Sequence, residues 1–435
     1  MDQPQLDVGS TAWLLTSAAL VLLMTPGVAF FYGGMIRQSN VLSMIMQSLM
    51  TIGTVSVLWV LVGFSLAFGA GNGFVGGLDL AGLRDLAQTV PGMHIDGVPI
   101  LAFAVFQMMF AVVTPVLITG AGAERWRFSA YITFVALWSM LVYAPIAHWF
   151  FSPLGWGSRL GALDFAGGTV VHVNAGVAAL VVAAVLGRRT GWPAVQHRAH
   201  NLPLMLLGTI MMWFGWFGFN GGSALAPNGI AALAVTNTQV SAAAGLMAWA
   251  CAEQIRVRKP TTLGAASGAI AGLVAITPAA GYVTPLSAVA IGAAAGVICH
   301  FAVSLKALLG LDDALDVAAV HLGGGAVGSL AVGLLATTSV NPAASNGLFY
   351  GGGYRLLGVQ ALTLGAAVVY SAVVTLLIVV LADRMFGNRV SPRGEVIGLD
   401  LFQHGESAYA IQAPSETAAT WVPNETAATR VPNHG

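Results

Sequence analysis

The 435-residue chain is 57% hydrophobic and only 8% charged, with a mean hydropathy of +0.81 and a formal net charge of +0. Ordinary soluble domains carry about 25% charged residues, so a soluble fold is excluded and lipid is the solvent for most of the surface. Balanced charge argues against nucleic acid as a partner. Two cysteines, Cys251 and Cys299, lack C-x-x-C spacing and indicate neither a disulfide framework nor a zinc site. Both stand in apolar stretches and read as buried thiols.

A spanning helix needs about 20 mostly apolar residues. In chain order such segments fall near 12-32, 42-68, 100-121, 129-150, 168-187, 202-220, 236-252, 263-280, 286-308, 317-336 and 357-383. The expected fold is an all-α polytopic membrane protein with eleven transmembrane helices. The opening MDQPQLDVGS has no basic n-region, so no cleavable signal peptide is expected. With the N-terminus outside, 14 of the 17 basic residues fall in cytoplasmic segments, among them Arg188, Arg198 and Arg256; only Arg84, Arg159 and Arg355 fall outside. This bias predicts an N-out, C-in topology. Residues 1-385 form the membrane domain and 386-410 a cytoplasmic C-terminal region. Residues 411-435 contain ETAATWVPN and ETAATRVPN, a nine-residue repeat too small and polar to build a core, and read as a disordered tail.

The fifth segment begins DFAGGTVVHVNAG, placing His172 inside apolar sequence eight residues after Asp164. The tenth begins DALDVAAVHLGGG, with His321 eight residues after Asp313. Valine precedes each histidine, and glycine follows four residues later, at Gly176 and Gly325. FYGG at 31-34 echoes FNGG at 219-222, and Thr114-Pro115 echoes Thr277-Pro278. Together these pair spans 1, 3 and 5 with spans 6, 8 and 10, in repeats of about 12-187 and 202-336, followed by an eleventh helix at 357-383. Five spans per repeat is odd, so the second repeat is inverted, which puts a substrate path at the pseudo-two-fold axis. The two histidines then approach one another from opposite sides. Either could instead bond a backbone carbonyl of a neighbouring helix. Intramembrane ionisable groups are functional candidates by default. A third ligand for a metal is lacking, so no metal and no cofactor is expected.

The motifs DFAGGTVVH, WFGFNGGSA, AGLVAITPAAGYV, FFYGGMIRQSNVLSM and GLDLFQHGESAYA resemble the ammonium transporter (Amt/MEP/Rh) family, in its Amt branch, over about residues 12 to 410. The resemblance implies a homotrimer in the inner or plasma membrane, each protomer with its own narrow hydrophobic pore for ammonium or ammonia, and a PII-type regulatory protein as a cytoplasmic partner. It assigns Phe110 and Phe219 to a stacked gate, Ser223 and Asp164 to ammonium recruitment, and Trp216, Thr277, His172 and His321 to the pore and proton relay. Alternatives stand beside these: Ser223 back-bonding its own helix, and Asp164 capping the fifth span. In PIAHWFF, Phe151 stands where the family's vestibule tryptophan is expected; either recruitment is weaker here, or another ring such as Trp156 compensates, or a one-residue shift makes Phe150 the replacement. The resemblance implies ammonium transport, with an ammonium sensor of the same fold as the alternative. No G-x-S-x-G, P-loop or dinucleotide fingerprint points to an enzyme.

Overall fold

The computed structural model describes residues 6–84, 97–194 and 199–409. The repeated tail, Arg198 and Arg430 lie outside the described residues. Among those described the fold is helical, with one isolated antiparallel bridge between Trp126 and Arg389. Ten helices are long and apolar enough to cross a membrane, and an eleventh apolar helix is shorter. They are α1 (Val8–Met35), α2 (Gln38–Phe68), α3 (Ile100–Gly122), α4 (Phe128–Trp138, continuing through Ser139–Tyr143 and Ala144–Phe151), α5 (Gly168–Leu186), α6 (Leu202–Gly222), α7 (Gly229–Val257), α8 (Thr262–Ile276), α9 (Pro285–Ala302), α10 (Ala318–Leu335) and α11 (Arg355–Phe386).

Most helices outrun their apolar stretches. Asn228 accepts from the amides of Ile230 and Ala231, so α7 starts well before its hydropathic core. By contrast α8, expected over 263-280, ends at Ile276, where Thr277 and Pro278 turn the chain. Its 15 residues reach only about 22 Å. A short span is tolerated because nearly all of α8 is buried in protein rather than exposed to lipid. The expectation of two buried thiols is corrected: Cys299 is buried and Cys251 is exposed. Hydropathy does not separate the lipid-facing side of an apolar helix from its core-facing side.

The repeats meet through glycines. A Cβ on Gly208 of α6 would lie 2.3 Å from the Phe31 nitrogen of α1, so these helices cross backbone to backbone. The glycines after the two histidines do the same for α5 and α10. A Cβ on Gly176 would lie 2.3 Å from the Leu322 nitrogen, and one on Gly325 would lie 2.9 Å from the Gly168 carbonyl oxygen.

Secondary structure repeats with the same register. His172 and His321 are 149 residues apart. That offset carries the short helix Trp156–Leu160 onto Leu305–Leu309 and the α-helical part of α5, Asn174–Leu186, onto Gly323–Leu335 of α10. Gly161 and Gly310 both close their short helices in the left-handed region, with φ of 93° and 66°.

The chain's C-terminal part folds back on its own loops. Asp400 accepts the amides of Leu42 and Ser43 at the start of α2. Glu395 accepts from the amide and hydroxyl of Thr190 and from Arg389. Beneath lies a chain of ion pairs from Arg37 to Glu124, Arg189 and Asp312. The aspartates beside α10 thus divide their work: Asp312 holds Arg189, Asp313 accepts the Ala318 amide, and Asp316 pairs with Lys306.

Candidate functional site

Both histidines sit in π-helical turns, Gly168–Val173 and Ala318–Leu322, at the starts of α5 and α10. A π turn shifts side chains out of the α-helical register and is frequent at functional sites. Asp164 sets up the first of them. It lies ahead of the helix rather than on it. Its Oδ1 accepts the amides of Gly167 and Gly168, and Oδ2 those of Thr169 and Val170, at 2.6 to 3.1 Å. Asp313 Oδ2 accepts the Ala318 amide five residues on, as Asp164 Oδ2 accepts that of Thr169. The spacing of eight is therefore the length of a capped π turn followed by an inward ring.

The rings meet at the crossing of α5 and α10. Nδ1 of His172 and Nδ1 of His321 lie 3.3 Å apart, and the imidazoles stack with centroids 5.3 Å apart. Both side chains are buried. Of the two nitrogens in this contact, one donates and the other accepts, so each arrangement of the proton fixes both tautomers. His172 Nε2 is buried without a protein partner.

On one side of the pair, aromatic rings continue the column. Trp216 stacks on His172 at 5.2 Å, and Phe219 lies 6.0 Å from the same imidazole. Phe110 stacks on Phe219 at 4.1 Å. Phe106, four residues before Phe110 on α3, packs edge-on against it at 4.9 Å. Sequence reasoning passed over Phe106, although the F-x-x-x-F spacing in FQMMF puts both rings on one helix face. Thr277 is placed as a support for Trp216: its hydroxyl donates to the Leu273 carbonyl and accepts the indole N–H at 2.9 Å.

Ser223 donates to the Phe219 carbonyl at 2.8 Å, the back-bonded arrangement. Its proton is thereby occupied, while the oxygen keeps lone pairs for a cation. The tip of the Phe151 ring lies next to Gly167, where an added Cβ would come within 3.5 Å of Cζ. Phe150 is buried, and Trp156 packs against Trp149 and Phe74. On the other side of the histidine pair, a cavity of about 240 Å³ reaches from His321 past Asp316 to Glu253 and Arg256. Among the described residues no cluster of three or more potential metal ligands occurs.

A multi-pass membrane protein with an aromatic column ending on two buried, touching histidines is thus defined by its geometry. The sequence model of the Ammonium Transporter Family matches residues 12–409, and the chain belongs to that family. It is 49% identical to the ammonium transporter of Bacillus subtilis (strain 168), covering 93% of this chain and 99% of the relative. To the ammonium transporter of Mycobacterium tuberculosis (strain ATCC 25618 / H37Rv) it is 48% identical, with 93% and 90% covered. Among solved structures it is similar to Mep2 from Candida albicans, with a TM-score of 0.86 at 38% identity over 95% of this chain and 93% of the other. A structure described as Sensor Amt Protein superposes with a TM-score of 0.83 at 32% identity over 91% and 98%. The family is one of transporters, not enzymes.

Proposed function

We propose that the chain carries ammonium across the plasma membrane by recruiting the ion at the outer rings, stripping its proton, and passing ammonia and the proton separately along the histidine pair. The observation that carries this reading is the unbroken column from Phe110 and Phe219 through Trp216 and His172 to His321. An intact cation in so apolar a path would lose hydration worth several kcal/mol. Ring faces at Phe110 and Phe151, the Ser223 oxygen, and the field of Asp164 offset part of that loss at the mouth. Because Asp164 is engaged by four amides, its role is to hold the π turn and to act on the ion at a distance. Phe110 and Phe219 form the gate beyond which only the neutral molecule passes cheaply. Trp216, fixed by Thr277, lines the path, and the linked Nδ1 atoms relay the proton.

The reading includes N-out, C-in insertion, assembly as a homotrimer, and a PII-type protein docking on the cytoplasmic face near the folded-back C-terminal segment. A pure sensor is disfavoured, since identity is higher to relatives named transporters than to the protein described as a sensor. Purified protein in proteoliposomes should give an ammonium-dependent current that an equal concentration of sodium does not evoke. Saturable ammonium binding without current or ammonia flux would replace transport by sensing.

A further inference from the structure

The inner cavity contains a titratable ring that neither the column nor the ion-pair chain uses. His300 of α9 lines the cavity together with His321, Asp316, Trp249, Glu253 and Arg256. Its Nε2 is buried and has no partner in the protein, and the same holds for Nε1 of Trp249. The Trp249 side chain is 5% exposed and meets the imidazole edge-on at 5.4 Å. Two orphaned polar nitrogens on one cavity wall mark a place for water or a small hydrogen-bonding solute.

The repeat register says where this ring stands. His300 lies thirteen residues before Asp313, as Phe151 lies thirteen before Asp164. The offset of 149 that relates the two pore histidines also carries Phe151 onto His300. Between each ring and its aspartate runs the same five-residue helix, Trp156–Leu160 or Leu305–Leu309. One repeat therefore puts a phenyl ring at its mouth, and the other puts an imidazole there.

We infer that His300 exchanges a proton with ammonia leaving past His321, at the cytoplasmic mouth. The inference rests on the transport reading above. In the inward direction the N–H bond at Nε2 of a charged His300 breaks, a new N–H bond forms on ammonia, and ammonium leaves a neutral imidazole behind. Cytoplasmic water, or the proton relayed through His172 and His321, charges the ring again. The reverse direction runs through the same bonds. Charged groups line the same cavity. Glu253 and Arg256 come from α7, Asp316 and its partner Lys306 from the segment before α10, and His321 from α10 itself. Two carboxylates and two cations thus stand around the cavity that the ring lines. Glu253 is committed to the Thr261 amide and hydroxyl, and Arg256 to the Ser304 hydroxyl, which leaves the orphaned Nε2 as the exchanging atom.

The test uses the full-length protein in proteoliposomes, with pH set separately on the two sides. His300→Phe keeps the ring that packs on Trp249, and His300→Gln keeps a hydrogen-bonding group that does not titrate. Ammonium flux of the unmodified protein should vary with cytoplasmic-side pH at and below the free imidazole value, about 6.5. Both variants should lose that dependence, keep the response to outer-side pH, and run about threefold slower at cytoplasmic-side pH 6, where the ring of the unmodified protein is charged. The loss is well under the ~10²-fold of an obligate acid–base group because water substitutes in part. An unchanged cytoplasmic-side pH profile in both variants, with oligomer and unfolding midpoint intact, overturns the assignment while leaving transport standing. A lowered maximum flux with the original pH profile also overturns it, because that is what a packing role gives. Unmodified protein without ammonium flux overturns both readings together.

Discussion

Replacing Asp164 separates a helix cap from a direct ligand of the cation. Its two carboxylate oxygens accept four backbone amides at 2.6 to 3.1 Å, and the side chain is 8% exposed. A hydrogen bond to a charged acceptor contributes about 1.5 to 3 kcal/mol, and a buried donor left unpaired costs about 1 to 3 kcal/mol. The four amides belong to consecutive residues and relax together, so their losses do not add. Asp164→Ala should therefore cost about 3 to 5 kcal/mol. Asp164→Asn keeps the shape, and its amide oxygen can serve one pair of N–H groups. Its NH2 would face the other pair donor to donor, at a cost of about 2 to 3 kcal/mol. Denaturant titration of the purified protein in detergent reads both values, and ammonium-dependent current reads the second consequence. When the π turn loosens, the His172 ring is no longer held against His321, so stability and current should fall in the same order, Asn before Ala. Wild-type stability in Asp164→Asn, with only the apparent ammonium affinity weakened, would refute the cap and make the charge itself the ligand.

In the histidine pair, His172→Ala and His321→Ala should each abolish most proton-coupled current, and the double variant should be little worse than the worse single one; electrogenic transport of wild-type size in the double variant would remove the relay. Phe151→Trp should strengthen apparent ammonium affinity by about 0.5 to 1 kcal/mol, read from the concentration dependence of the current; an unchanged value would mean that residue 151 does not face the ion. Burial, with the negative charge of Asp316 second, pushes the Asp313 carboxyl up to about 6. The folded state then binds more protons than the unfolded state between about pH 4 and 6, so this group removes about 2 to 3 kcal/mol of stability as pH rises through that window. Asp313→Asn keeps an acceptor for the Ala318 amide and should gain on wild type by a like amount between pH 4 and 7; a pH-independent difference in denaturant midpoints would show that Asp313 titrates in its ordinary range.

The spans were legible because a bilayer demands length and hydrophobicity at once, and few soluble patterns satisfy both. The matched Asp-to-His spacing was legible because a duplicated structure repeats its register. Helix ends were not: caps such as Asn228 extend a helix beyond its apolar part, and Pro278 with Thr277 cuts one short inside it. The π turns left no compositional trace, since one extra residue per turn is a property of backbone hydrogen bonding. The support of Trp216 by Thr277 was hidden for another reason: the two are 61 residues apart, and either alone reads as pore lining.

The glycines four residues after each histidine show how repeat and chemistry are tied together. Each removes the side chain that would keep α5 and α10 apart, at Leu322 in one direction and at Gly168 and Val173 in the other. Close approach of the backbones brings the two Nδ1 atoms to 3.3 Å. Any larger residue at Gly176 or Gly325 would push the helices apart before it met the rings. Packing of the inverted repeats and contact between the imidazoles are thus one constraint, set at the same two positions. The mouths are free of that constraint, and there the repeats diverge: Phe151 and Ser223 on one side, His300 and Asp316 on the other. Symmetry holds where two helices must touch, and it is lost where each side faces its own solution.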